Sequence, residues 1–561
     1  MARVMVIADS RPIAHALVNR LSKSPVVTAC QLAPQFNGGY ALLFTEHAID
    51  TVVYAPQLRR QNEMIPNLAE AAMVFAECAR AGMAKVVVVS SAMIYGADPH
   101  NPGFIVETRA PLRGDKNSLG NDWTELETLA DAYVGQSTNA TLTILRPVAV
   151  PVRGGTDYFS RIFRQGLVPT LPLYDPSLQL LSPDDLAQAV CCAVEKSAGG
   201  VFNVAPDAVI PLRVALHMAG AMRWPIPRLV QRLARRVLAP LGLAFPGDQL
   251  EYLRYTWTVS NAKIKRDLGF VPERSSAEAL LAVLNGQASQ LWSDPTEPLH
   301  FDDFGMDRNY IEAKRRRLFA FLHDYYWRIE VKGGEHIPRQ GRAVMVGAHR
   351  GFMPFDGVMA FEFVAREVGR YMRFLIHPCL IKIPFPFDFN KLGCLKVSRE
   401  NADYVLQRDE LLAFYPEGIQ GAFRYYRGVY QLGKFGRDEY VKFALRNQAP
   451  IVPFVTIGSA EIFPVLAKIN WRWWKENFLW PCFPIAPPFP LLPFPLPTKW
   501  HTQFLEPLHI EQRYPPEAAH DMATVRAISQ EVRTRMQDAI DDIRKRRKSI
   551  FFGSIFESEA N

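Results

Sequence analysis

Apolar runs of strand length alternate with amphipathic stretches of helix length twice over in this chain, and that rhythm restricts its fold more than any single motif. Through residues 1–150 the runs RVMVIA, DTVVYA, AKVVVVSS and LTILRP are spaced by stretches such as RPIAHALVNRLSK and NLAEAAMVFAECARAGM. Strand–helix alternation at this spacing predicts a parallel sheet with helices on both faces. The rhythm fails around 285–305, where NGQASQLWSDPTEPLHFDDFGMD gathers polar residues and proline. It resumes with YYWRIEVKG and AVMVGAH, and a basic helical stretch, VRAISQEVRTRMQDAIDDIRKRRKS, follows near the end. A chain of 561 residues is too long for one core. The expected fold class is therefore α/β in two domains. A first domain is expected over 1–285, a linker and basic helix over 286–325, a second domain over 326–548 and a tail over 549–561.

Composition narrows the partners. The formal net charge of +8 favours anionic ones. Seven cysteines with no CxxC pair argue against a disulfide framework and for a reducing compartment. The opening residues lack the design of a signal peptide. No window supplies the roughly 20 uninterrupted apolar residues of a spanning helix. The longest candidate, PCFPIAPPFPLLPFPLP (481–497), is too rich in proline to satisfy its own backbone in lipid. Contact with a membrane surface is nonetheless expected. NWRWWKENFLWPCFPIAPPFPLLPFPLPTKW (470–500) sets aromatic rings beside cations, as the headgroup boundary favours. RLVQRLARRVLAPLGLAF (228–245) has the pattern of a basic amphipathic helix. KRRR (314–317) and RKRRK (544–548) suit acidic lipid, and no nucleic-acid recognition motif accompanies them, so no nucleic-acid partner is expected. No oligomeric state follows from the sequence.

Over roughly residues 2–285 the order of features resembles the extended short-chain dehydrogenase/epimerase family. DTVVYA matches its fourth-strand segment and VVVVSSAMIYG its serine-bearing strand; LTILRPVAV, SPDDLAQAV, FNVAPD and AKIKRDLGFVP follow in order. The resemblance implies a Rossmann-like doubly wound sheet. The chemistry departs from it. A dinucleotide turn needs glycines so that the backbone approaches the pyrophosphate, and the family's GxxGxxG falls on ADSRPIA, with Ala8, Arg11 and Ala14 at the glycine positions. Asn121 and Glu125 stand where the family's Tyr-x-x-x-Lys pair belongs. Ser90, Ser91 and Tyr95 remain without that pair. Neither NAD(P) binding nor hydride transfer is expected, and Arg11 is left as a candidate for holding some other anion.

The second half carries a different chemistry. In AVMVGAHRGFMPFDGVMAFEF (343–363) a strand delivers His349 to a loop, and Asp356 opens the next helical stretch. Residues seven apart on a helix share a face but lie about 10 Å apart. Gly351 and Pro354 break such a helix, so the loop must fold back to bring carboxylate to imidazole. A histidine so held is a general base for a hydroxyl, with the carboxylate fixing its tautomer and stabilising the imidazolium. Asp356 also suits a helix N-cap.

From about Tyr326 onwards, some 200 residues resemble the glycerolipid acyltransferase family, in particular its lysophosphatidic acid acyltransferase group. His349 and Asp356 stand for its H-x(4)-D pair, here with six residues between. GCLKVSREN (393–401) resembles its second motif and implies that Arg399 contacts an anionic headgroup. AFYPEGIQG (413–421) resembles its F-P-E-G turn, implying that Glu417 and Gly418 organise a phosphate site. The family's Thr-Arg-Ser continuation is replaced by Ile419, Gln420 and Gly421, leaving Arg424, Arg427 or Lys434 to meet phosphate charge. APIVPFVTIGSAE (449–461) resembles the strand whose proline, here Pro453, lines the acyl site. The resemblance implies a peripheral enzyme on the cytoplasmic face of a membrane. It would move a fatty acyl group from acyl-CoA or acyl-carrier protein to a lysophospholipid or related glycerolipid hydroxyl, with no metal or redox cofactor. The competing readings are an NAD(P)-dependent epimerase or reductase and a non-catalytic lipid-binding scaffold.

Overall fold

The structure is a computed structural model that describes residues 2–556 apart from 9–10, 34–38, 57, 61–62, 113–117, 136–139, 154, 156, 172–173, 197, 226–248, 285–301, 303, 378–379, 381–386, 437, 479, 490 and 492–493. It divides into two compact units, Met1–Gly305 and Met306–Asn561. Among the described residues no helix is long and apolar enough to cross a membrane. The amphipathic stretch expected at 228–245 lies outside the described residues.

The first unit is built on six strands: β1 (Ala2–Ala8), β2 (Val27–Leu32), β3 (Thr51–Ala55), β4 (Lys85–Val89), β5 (Thr141–Pro147) and β6 (Gly200–Val204). They pair in the order β6-β5-β4-β3-β1-β2, all parallel. A strand buried on both faces reads as a continuous apolar run, and β4, KVVVV, is buried at every position. Among the covering helices, α1 (Arg11–Leu21) packs on α4 (Pro183–Glu195), and α2 (Leu68–Arg80) packs on α3 (Ser118–Ala130). The helix starts are chemically marked. Asn67 caps α2 by accepting from the Glu70 N–H, and Ser182 caps α4 ahead of Pro183. The order reverses between β1 and β3, the switch point at which doubly wound sheets hold ligands. Residues 9–10 and the Arg11 side chain, the centre of the departed glycine turn, lie outside the described set.

A buried ion pair lies at the ends of β4 and β5. Glu125 is exposed, and Glu127 turns inward instead. Arg146 grips Glu127 in bidentate fashion at 2.6 and 2.9 Å. Ser90 donates to the same carboxylate at 2.6 Å. The Tyr95 hydroxyl accepts from Arg146 at 2.7 Å and donates to Asn203 at 2.9 Å. The serine and tyrosine retained in the sequence are thus committed to the core by a glutamate that lies two positions beyond the one expected in the lysine's place.

The second unit carries seven strands: β7 (Glu330–Lys332), β8 (Ala343–Gly347), β9 (Met372–Ile376), β10 (Leu395–Lys396), β11 (Leu411–Phe414), β12 (Ile451–Ile457) and, later in the chain, a strand at His501–Phe504. That last strand lies between β7 and β12, antiparallel to β12; the remaining order is β12-β8-β11-β9-β10, with parallel pairing. The expected linker over 286–325 is divided. Residues 285–301 lie outside the description, whereas Ile311 and Phe319 are buried in this unit's core. Arg315 of the basic run is folded in as well, 2.7 Å from Glu312 and 2.8 Å from Glu362. The tail returns to the unit through Ile555, whose N–H donates to Glu330 at 3.2 Å.

Removing one member of a buried ion pair strands the other's charge, at a cost of about 3–5 kcal/mol. Glu127→Ala is expected to destabilise the first unit by that amount in denaturant titration. The double substitution Glu127→Leu/Arg146→Met is expected to recover most of it.

Candidate active site

Two parallel strands of the second unit, β8 and β11, end side by side, and the loops that leave them build the site. The first runs from Gly347 to α5 (Phe355–Val368), preceded by Pro354. Gly351 adopts a φ of +99°, and a Cβ there would lie 2.6 Å from the Ser459 carbonyl oxygen. Only glycine makes that bend, and the bend returns His349 to the start of α5. His349 Nδ1 lies 2.7 Å from Asp356 Oδ2. The ionised carboxylate is acceptor-only, so Nδ1 carries the hydrogen and Nε2 keeps its lone pair.

Asp356 is buried and fully engaged. Oδ2 also accepts from the Arg350 N–H at 2.8 Å, and Oδ1 from the Gly357 N–H at 2.8 Å. Its place in the first turn of α5 adds the favourable end of the helix dipole. His349 is 14 % exposed.

The loop after β11 holds the P-E-G turn. Gly418 has a φ of +56° and opens a short helix, Gly418–Ala422. Glu417 is buried and faces inward. Its Oε2 accepts from Arg350 Nη1 at 2.5 Å and its Oε1 from the Gly433 N–H at 2.8 Å. Arg424 approaches the same carboxylate at 3.6 Å. Arg350 is fully buried, also donates to the His349 carbonyl at 2.9 Å, and leaves Nε and Nη2 without partners. Burial pulls its pKa below the usual arginine value, against the opposing pull of Glu417. This ion pair ties the histidine loop to the P-E-G turn. Nothing in the residue pattern signals it, because a loop arginine beside a glycine reads as solvated.

Tyr415, next to that turn, lays its ring along His349, with centroids 5.0 Å apart and planes 28° from parallel. Gly347 and Gly357 make room for it; a Cβ on Gly347 would collide with the ring, and one on Gly357 would reach its hydroxyl at 3.4 Å. The hydroxyl is buried without a partner. Burial, reinforced by Asp356, holds the phenol well above its ordinary pKa.

These loops border a cavity of about 350 Å³ whose described lining is mainly apolar, including Phe352, Phe361, Phe374, Leu392, Phe423 and Trp480. Of the residues expected from sequence, His349, Glu417 and Gly418 line it, and Asp356 stands behind His349. Arg399 and Pro453 are not among its described lining. Arg399 opens a helix, Arg399–Gln407, is 66 % exposed and lies 3.5 Å from Asp403. Pro453 sits within β12, in register with Val346 of β8. Arg427 and Lys434 are exposed and Arg424 is turned toward Glu417; none is in the described lining.

Residues 328–457 match the acyltransferase family. An uncharacterised protein of Mycobacterium tuberculosis is 36% identical over 259 residues, which are 45% of this chain and 72% of its own length. Phytyl ester synthase 1 of Arabidopsis thaliana, a chloroplast protein, is 28% identical over 147 residues, 25% of this chain and 21% of its own. Among solved structures, a UDP-N-acetylglucosamine 4-epimerase from Bacillus cereus is 15% identical with a TM-score of 0.40, covering 51% of this chain and 98% of that one.

A buried donor left unpaired costs about 1–3 kcal/mol, so Tyr415→Phe is expected to raise the unfolding free energy by that order in denaturant titration. A decrease would show that the hydroxyl has a stabilising partner.

Proposed function

Because residues 328–457 match the acyltransferase family, we propose that the second unit transfers a fatty acyl group from the thioester of CoA or acyl-carrier protein to a hydroxyl of a lysophospholipid or related glycerolipid. It works peripherally on the cytoplasmic face of a membrane. The observation that carries this reading is the His349–Asp356 pair at the edge of a largely apolar cavity.

A lipid hydroxyl is a poor nucleophile at neutral pH. Nε2 of His349 takes its proton as the oxygen attacks the thioester carbonyl. Asp356 stabilises the imidazolium that forms, and the neighbouring Tyr415 ring presents a π face to that cation. Collapse of the tetrahedral intermediate forms the ester, expels the thiolate and returns the proton to sulfur. The cavity takes the acyl chain. Glu417 acts by holding Arg350 and Gly433, which keeps the two loops in register, rather than by touching the acceptor.

A neutral acceptor alcohol is the second reading. The described lining of the cavity holds no lysine or arginine, and one relative is named for phytyl ester synthesis. Monoacylglycerol, diacylglycerol and a long-chain alcohol therefore belong beside the lysophospholipids in an acceptor panel.

The test is transfer of radiolabelled palmitate from palmitoyl-CoA, and from palmitoyl-carrier protein, into that panel. His349→Ala is expected to lower the rate by a factor of about 100 to 10,000, with Asp356→Asn also slow. Equal labelling by wild type and His349→Ala would remove the histidine from the mechanism. No labelling from either donor by folded wild-type protein would favour the lipid-binding scaffold.

A further inference from the structure

The second unit carries an aromatic projection after β12 that the catalytic pair does not use. It consists of an antiparallel pair, β13 (Ala467–Ile469) and β14 (Phe483–Ile485), and between them a short helix, Arg472–Phe478. A proline-rich loop follows. Leu466, Ile469, Trp471, Trp473, Leu491 and Phe494 are all exposed, Leu491 by 91 % and Phe494 by 72 %. Single exposed apolar residues are ordinary on a protein surface, but a cluster from one short stretch marks an interaction site.

We propose that this face docks on an anionic lipid bilayer and so brings acceptors held in that bilayer to the His349 cavity. The inference rests on the reading of that cavity as an acyl site. Its first support is chemical. Lys468, Arg472 and Lys475 lie among the exposed rings, and the sequence from 466 to 494 sets these three cations against one acid, Glu476. Indole rings with cations at their edge match the headgroup layer, where rings settle at the boundary and ammonium and guanidinium groups meet phosphate. Lys468 lies 4.2 Å over the ring of Tyr425, itself exposed, which extends the face to the segment following the P-E-G turn.

The second support is continuity. Trp471 stacks on Trp474 at 6.1 Å, and Trp474 meets Trp480 edge-on at 5.5 Å. Trp480 meets Phe352 at 5.4 Å and Phe423 at 5.5 Å, and all three line the cavity. An unbroken series of rings thus leads from the surface to the cavity wall. The projection is also fixed to the site: the Tyr426 N–H donates to the Val465 carbonyl at 3.0 Å, and the Leu466 N–H to the Ile485 carbonyl at 2.9 Å. The sequence marked residues 470–500 as interfacial; the structure adds Leu466, Lys468, Ile469 and Tyr425, and buries Trp480 and Trp500.

The test uses the full chain and sedimentation with vesicles of phosphatidylcholine, with and without phosphatidylglycerol. Wild type is expected to sediment with the anionic vesicles and to be released by salt. The variant Trp471→Ser/Trp473→Ser/Leu491→Ser/Phe494→Ser is expected to lose at least about tenfold in vesicle affinity. Lys468→Gln/Arg472→Gln/Lys475→Gln is expected to lose roughly a hundredfold on anionic vesicles and little on neutral ones. Both should keep wild-type thermal transitions and acyl transfer between detergent-dispersed substrates, and lose transfer to acceptors held in vesicles. Unchanged vesicle binding by both variants would overturn the proposal. So would loss of binding to an acyl-carrier protein with vesicle binding intact, which would make the face a protein dock. Vesicle binding that depends on these residues, without acyl transfer in any format, would sustain the surface and overturn the acyltransferase reading.

Discussion

The Arg350–Glu417 ion pair is the constraint on which the rest of the site depends. It is buried, it joins the loop after β8 to the turn after β11, and its arginine follows the histidine directly in sequence. Removing two charges from water costs several kcal/mol per ion, and a buried pair recovers little beyond that cost. What such a pair secures is position. The Arg350 N–H helps fix Asp356, its side chain holds the His349 carbonyl, and Glu417 holds Gly433. Imidazole, carboxylate and P-E-G turn are thereby linked through one guanidinium.

The first unit contains a comparable pair with a different consequence. Arg146 and Glu127 draw Ser90, Tyr95 and Asn203 into one hydrogen-bonded network. In the second unit, Arg350 keeps two nitrogens, Nε and Nη2, unpaired and Tyr415 keeps an unpaired hydroxyl beside the His349–Asp356 pair. Buried polar groups left in this condition are expensive, and three such atoms lie close to the histidine. The first arrangement reads as core structure, the second as a site in which stability has been given up near the chemistry.

The apolar cavity and the aromatic face belong to one design. The cavity wall at Phe352 and Phe423 is the inner end of the ring series that begins at Trp471. For a substrate with one apolar chain and one reactive end, a wall of rings on one side and a base on the other orders both ends at once. Under the proposed function, binding energy from the chain then positions the reacting carbonyl.

The sequence by itself determined the α/β class, the parallel sheet of the first unit and the fold-back that pairs His349 with Asp356. Strand periodicity and the Gly351 bend are local properties, and local properties are written in neighbouring residues; the N-cap expected at Asp356 falls instead on Pro354, with Asp356 inside the first turn. The sequence also placed Ala8, Arg11 and Ala14 where the family it resembles has glycines. Tertiary structure alone decided which charges face inward. Glu127 rather than Glu125 meets Ser90, Glu417 is held by Arg350 with Arg424 3.6 Å away, and Arg399 lies at the surface beside Asp403. Each of these outcomes depends on a partner distant in sequence. Whether burying a charge is tolerable is set by that partner's position, which no local pattern encodes.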